Sequence, residues 1–167
     1  LLALISFSPD DPNFIFPEST KIKNLLGFRG SFTSDLFFQS FGLTVFLIPF
    51  SLTMTGINII LNKKIFLIIE TIFYTILYLF FGSLFFSTFY LTAFKLYING
   101  NGGFVGKYLD TTFLSPLINL NSQVAYYFLI ILLLILFLSS IQFKVYSFFK
   151  FIKKIFRFFF IKNKQNY

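Results

Sequence analysis

Side chains able to do covalent or acid-base chemistry are scarce in this 167-residue chain. It has no Cys and no His, which excludes a disulfide framework, a Cys/His zinc site, a thiol nucleophile and every His-based triad. Only six carboxylates stand beside 14 Lys and Arg. One of them, Glu70, falls in an otherwise apolar stretch, where a carboxylate costs about 2.5 to 3.5 kcal/mol at mid-bilayer and is by default a sign of proton or ion chemistry. Glu70 follows Lys64 by only six residues, however. Near a bilayer surface it can reach water or pair with Lys63 or Lys64, and this structural role is the expectation.

A second fragment with chemical potential is NGGFVGK, Asn101 to Lys107. A phosphate-binding loop needs G-x-x-x-x-G-K followed by Ser or Thr, so that backbone amides and a hydroxyl hold phosphate and magnesium. Here Asn101 occupies the first glycine position and Tyr108 the hydroxyl position. The expected role is instead a tight glycine turn that lets the chain re-enter or skirt a membrane surface. No catalytic residue, no metal site and no bound cofactor is expected.

The elements around these residues are membrane spans. Hydrophobic residues make up 56% of the chain and charged ones 12%, with 30 Phe and 9 Tyr, well short of the roughly 25% charge of soluble domains. The predicted fold is all-α, a polytopic transmembrane helical bundle. Spans of about the 20 apolar residues needed to cross a bilayer are predicted over 36–61, 65–94 and 124–143. Asp35 or Ser34 is expected to cap the first of these and Pro49 to kink it. Gly42, Gly56 and Gly82 are expected to allow close helix approach. Leu1 to Phe7 is apolar but too short to cross, and with no Met at position 1 it reads as the outer end of a lost first helix. Residues 8–34 and 95–123 are predicted as irregular loops, broken by Pro and Gly. The membrane domain is placed at 1–145 and a basic tail, or the start of a linker, at 146–167.

Charge placement predicts orientation. The turn at Lys63 and Lys64 and the tail after Phe143 carry nine of the 14 basic residues. The two long loops, with Asp35 at their edge, hold the other five against five of the six acids. By the positive-inside rule the turn and the C-terminus are cytoplasmic and the loops face outward. In the tail Lys150, Lys153, Lys154 and Arg157 recur at helical spacing among Phe and Ile, which predicts an amphipathic helix lying on an anionic leaflet.

The strings SPDDPNF at Ser8 to Phe14 and NLLGFRGSFTSDLFFQSFGLTVFLIPF at Asn24 to Phe50, followed by GNGGFVGKYL from Gly100, resemble the membrane domain of the FtsK/SpoIIIE DNA translocases, especially alphaproteobacterial members. The matching positions are Ser8, Pro9, Asp11, Pro12, Asn24, Gly27, Gly30, Asp35, Phe41, Gly42 and Pro49, and then Gly102, Gly103 and Gly106. Ser31 stands where the family usually has Ala. The resemblance implies a four-helix membrane domain with both ends cytoplasmic, contacts with membrane lipids and division-site membrane proteins, homo-oligomerisation, and placement in the bacterial inner membrane at the division septum. It also implies that ATP, magnesium and DNA belong to a motor domain outside these residues, which contain neither Walker motif. The function expected is therefore membrane anchoring and septum localisation of an FtsK-like translocase in cell division and chromosome segregation, without enzymatic activity in these residues. The alternative reading is a small transport or respiratory-complex membrane subunit from an AT-rich genome, with Glu70 carrying ions.

Overall fold

The computed structural model describes residues 1–12, 21–90, 98–112, 114–143 and 153. All regular structure among them is helical: α1 (Leu2–Ile5), α2 (Gly27–Phe41), a 3-10 segment (Gly42–Phe46), α3 (Leu47–Asn62), α4 (Leu67–Phe89), α5 (Gly103–Asp110), α6 (Leu114–Leu120) and α7 (Ser122–Ser140). Among the described residues three stretches are long and apolar enough to cross a membrane, Gly27–Asn62, Leu67–Phe89 and Ser122–Ser140. The fold is a helical membrane bundle.

The first of these stretches differs from the predicted span. Helix begins at Gly27, so Ser34 and Asp35 lie inside α2 and cap nothing: Ser34 Oγ donates back to Ser31 O at 3.0 Å, and Asp35 Oδ1 accepts from Gln39 Nε2 at 3.3 Å. The bend comes at Gly42 rather than Pro49. Gly42 has φ 67° and ψ −151°, a conformation nearly confined to glycine, and it separates α2 from the helix that follows. Pro49 is the third residue of α3, in the first turn of a helix, where backbone N–H groups have no α-helical partner to lose. Undivided, 36 helical residues would rise about 54 Å. The 21 residues Gly42–Asn62 rise about 34 Å, which suits a bilayer core of about 30 Å. α2, with Arg29, Asp35 and Gln39, is the less apolar part.

The predicted spans 65–94 and 124–143 begin or end a few residues away from α4 and α7. Residues 91–94 lie outside the described residues, and α7 starts two positions early because Asn121 Oδ1 accepts from Val124 N at 3.1 Å and caps it. The predicted irregular loop at 95–123 contains α5 and α6, a correction that follows from the packing of α5 described below.

The bundle core joins Leu4, Phe38, Val45, Ile48, Tyr78, Leu79 and Leu136. Phe38 is fully buried, with Phe7 stacked on it at 3.9 Å between ring centroids. Deeper toward the Lys63–Lys64 turn, α3, α4 and α7 are joined by hydroxyls. Ser51 Oγ lies 2.8 Å from Ser140 Oγ and 3.2 Å from Tyr78 Oη; Thr55 and Thr71 share a 2.6 Å bond, and Thr71 donates to Ser140 O at 3.0 Å. In lipid, where apolar burial between helices supplies little driving force, such bonds hold helices together at about 0.6 kcal/mol each on average. A double-mutant cycle on Ser51→Ala and Ser140→Ala is expected to give a coupling of about 1 kcal/mol in detergent unfolding. Strict additivity would show that the bond holds nothing.

Candidate functional site

Of the residues singled out in the sequence, Asp11, Asn24, Gly27 and Gly30 gather at the start of α2 and Gly42, Gly102, Gly103 and Gly106 at its end, whereas Asp35, Pro49 and Glu70 stand apart from both clusters. At the start of α2, Asp11 is buried and its two carboxylate oxygens accept from successive backbone amides, Lys23 N and Asn24 N, both at 2.8 Å. Neighbouring Asp10 pairs with Lys23 Nζ at 2.9 Å on the surface. Asn24, also buried, spans three elements. Its Nδ2 donates to Ala3 O at 2.9 Å and to Ser6 O at 3.2 Å, closing the end of α1, and approaches Ser34 Oγ at 3.4 Å. Its Oδ1 accepts from Leu26 N at 3.1 Å just ahead of α2. Gly30 makes room for this side chain, since a Cβ there would overlap Asn24 Oδ1. Gly27 serves by conformation, with φ +64° and open space around it. Ser31 Oγ donates to Pro12 O at 2.5 Å, tying the proline loop to the same turn.

At the other end of α2 the glycine loop enters the bundle. Leu43 N donates to Asn101 O at 2.9 Å, and Asn101 Nδ2 reaches Tyr90 O. A Cβ on Gly42 would overlap the Asn101 carbonyl, and one on Gly103 would lie 2.6 Å from Gly42 N and Ser40 O. Gly102 and Gly106, four residues apart on one side of α5, lie against Ser83 and Ser87, four apart on α4; a Cβ on either glycine would meet Ser83 O. Ser83 Oγ turns to Phe41 O at 2.8 Å. This is small-xxx-small packing, in which residues without bulk let two backbones approach. Gly82 packs similarly against Thr44, whereas a Cβ on Gly56 would meet nothing within 4 Å, so the expectation of close approach does not hold there. This G-x-x-x-G lies in the predicted loop before the last span, outside the spans in which close helix approach is expected. The Gly102 and Gly106 faces are occupied by α4, and no strand precedes the loop among the described residues. A phosphate cradle is not what these glycines build.

Glu70 is exposed in the first turn of α4. There its charge meets the positive end of the helix dipole. No ion pair joins it to Lys63 or Lys64 among the described residues, and of the two structural roles expected its exposure fits the one in which it reaches water. Of the basic stripe, Lys153 is described and exposed; Lys150, Lys154 and Arg157 lie outside the described residues. No group of three or more metal-ligating side chains occurs among the described residues.

The geometry is that of a helical membrane unit tied by its loops, with polar side chains that brace backbone. Residues 1–155 match the family described as the 4TM region of DNA translocase FtsK/SpoIIIE. The chain belongs to this family. Among curated relatives, a DNA translocase FtsK of Rickettsia typhi is 40% identical over 58 residues, covering 35% of this chain and 8% of that protein. A DNA translocase FtsK of Rickettsia bellii is 42% identical over 55 residues, covering 33% of this chain and 7% of that protein. The chain thus spans less than a tenth of the length of these FtsK relatives. No solved structure gives a significant match. The FtsK/SpoIIIE membrane region is therefore seen here through three span-length helices, with α1 packed on α2 and the glycine loop inserted between α2 and α4.

Proposed function

We propose that this chain is the membrane-anchoring and septum-localising part of an FtsK-like DNA translocase, and that it performs no ATP or DNA chemistry itself. The observation that carries the proposal is the family match over residues 1–155, joined to relatives that are named DNA translocases. Its mechanism is positional. Helices held in the inner membrane, with the Lys63–Lys64 turn and the basic tail on the cytoplasmic side, would keep a cytoplasmic motor beside its division partners. That tether makes their encounters effectively intramolecular. Self-association of the anchor would set motor subunits side by side, and Lys150, Lys153, Lys154 and Arg157 would rest the tail on anionic lipid. The exposed first-turn position of Glu70 favours this reading over an ion-conducting subunit.

The test is a fluorescent protein fused after Tyr167 and imaged in dividing bacteria. A band at the septum is expected, with the fused domain inaccessible to protease added outside intact spheroplasts. Uniform labelling of the envelope would remove the localising role, and external cleavage would reverse the orientation. Glu70→Gln is expected to leave localisation unchanged.

A further inference from the structure

α3 and α4 leave an open-sided groove of about 220 Å³ between them, lined by Leu52, Thr55, Gly56, Ile59, Ile68 and Thr71. Its floor is apolar in effect, because the Thr55 and Thr71 hydroxyls turn toward each other and have the inward carbonyls of Ser51 and Ser140 as acceptors, at 2.8 and 3.0 Å. Gly56 opens it: a Cβ there would have nothing within 4 Å. From Leu52 to Ile59 the groove runs about 10 Å along α3. It ends at the charged turn, for Ile59 O accepts from Lys63 N at 2.7 Å, and Lys64 O accepts from Leu67 N beside Ile68. Both lysines are exposed, with no ion pair among the described residues. Glu70, on the same stretch of α4, sits about 100° around the helix from Thr71 and about 160° from Ile68, away from the groove.

An apolar slot running along a membrane helix and ending at two exposed lysines has the shape and charge of one particular occupant. We infer that this groove is a binding site for an anionic phospholipid, with an acyl chain against Gly56 between α3 and α4 and the phosphate at Lys63 and Lys64. The proposal goes beyond anchoring: it places one lipid, chosen by charge, at the turn of the bundle, independently of the basic tail.

The full chain in detergent, titrated with phosphatidylglycerol or phosphatidylcholine and read by native mass spectrometry, tests it. The first phosphatidylglycerol is expected to be retained over phosphatidylcholine, with Lys63→Asn and Lys64→Gln each lowering retention about five-fold and together about 25-fold, the equivalent of about 1 kcal/mol per lysine. Lys63 adopts φ 54°, which Asn tolerates, so folding is kept. Gly56→Leu fills the groove where space is open and should abolish the retained lipid, with Gly56→Ala intermediate and helicity by circular dichroism unchanged. Inorganic phosphate should not compete, since the chain supplies half of the recognition. Equal retention of phosphatidylcholine would overturn the proposal, as would undiminished phosphatidylglycerol binding in Gly56→Leu, which would assign the lipid to the tail. A loss of dimer in Gly56→Leu with lipid binding intact would give the groove to a second copy of the chain.

Discussion

Gly42→Ala is expected to destabilise the bundle by about 4 kcal/mol, enough to leave little folded protein. Two costs coincide at this position. The backbone holds φ 67° and ψ −151°, a region in which any Cβ is strained by about 1 to 3 kcal/mol. The same Cβ would also overlap the Asn101 carbonyl, and forcing packed backbones apart adds about 1 to 3 kcal/mol. Neither cost can be relieved by a rotamer change, since the opposing atoms are main chain. Relief would require the glycine loop to withdraw, breaking Leu43 N to Asn101 O and lifting Gly102 and Gly106 from Ser83 and Ser87. Thermal unfolding in detergent, followed by circular dichroism and by limited proteolysis between α4 and α5, measures both consequences. Gly56→Ala is the matched control. It sits inside α3 with open space around it and should be stabilised by up to about 1 kcal/mol through helix propensity. If the two substitutions behave alike, the backbone contact at Gly42 is not what holds the loop.

The contrast between these two glycines also shows what the sequence could carry. Hydropathy finds the three apolar stretches because lipid forces backbone bonds to close within each helix, and loss of charge marks them plainly. It does not find the break at Gly42, since a glycine inside an apolar run looks the same whether it lets helices touch, as at Gly82, or leaves a groove, as at Gly56. That distinction is made by the partner: Thr44 across from Gly82, the Asn101 carbonyl across from Gly42, nothing across from Gly56. The helical character of α5 is not legible in the sequence for a related reason. GNGG signals a turn, and only contact with Ser83 and Ser87 makes the following glycines a packed helix face. A readable hint existed in two small residues spaced by four on each side. The bonding of the buried hydroxyls Ser51, Thr71 and Ser140 has no local signature, because it joins positions up to 89 apart in the chain. Asp11, Asn24 and Gly30 stand out as residues through a resemblance; the bond from Asn24 N to Asp11 and the room Gly30 leaves for the Asn24 side chain are three-dimensional facts.

α2 is fixed at both ends by these arrangements, each end by its own set of contacts. Asn24 holds its start to α1, while Gly42 and Gly103 hold its end to α5, which in turn rests on α4. Loosening one end frees the helix from that end only, so the two ends should fail separately. Variants at Asp11 and at Gly42, too far apart to share a partner, are expected to have additive effects.

Asn24→Ala is the second large effect, and its expected cost is about 3 kcal/mol. The amide side chain supplies donors to Ala3 O and Ser6 O and an acceptor to Leu26 N. Deleting it leaves the buried Ala3 O unpaired, at about 1 to 3 kcal/mol for a buried group, and removes the part-buried bonds to Ser6 O and from Leu26 N as well. Asn24→Asp separates the roles. An aspartate keeps the acceptor for Leu26 N but turns the donor into a carboxylate facing two carbonyl oxygens, so it should be at least as damaging as Ala despite its near-identical shape. Asp11→Asn tests the other half of the cluster, because an amide can accept at one position but presents N–H to the second backbone N–H, and about 1.5 to 3 kcal/mol of charge-assisted bonding is lost. Hydrogen exchange would localise the change. Protection should fall at the amides of Lys23, Asn24 and Leu26 and in the first turn of α2, while α3, α4 and α7 keep theirs. Unchanged protection at Leu26 in Asn24→Ala would mean that α2 starts without this side chain, and its role at the head of the helix would have to be given up.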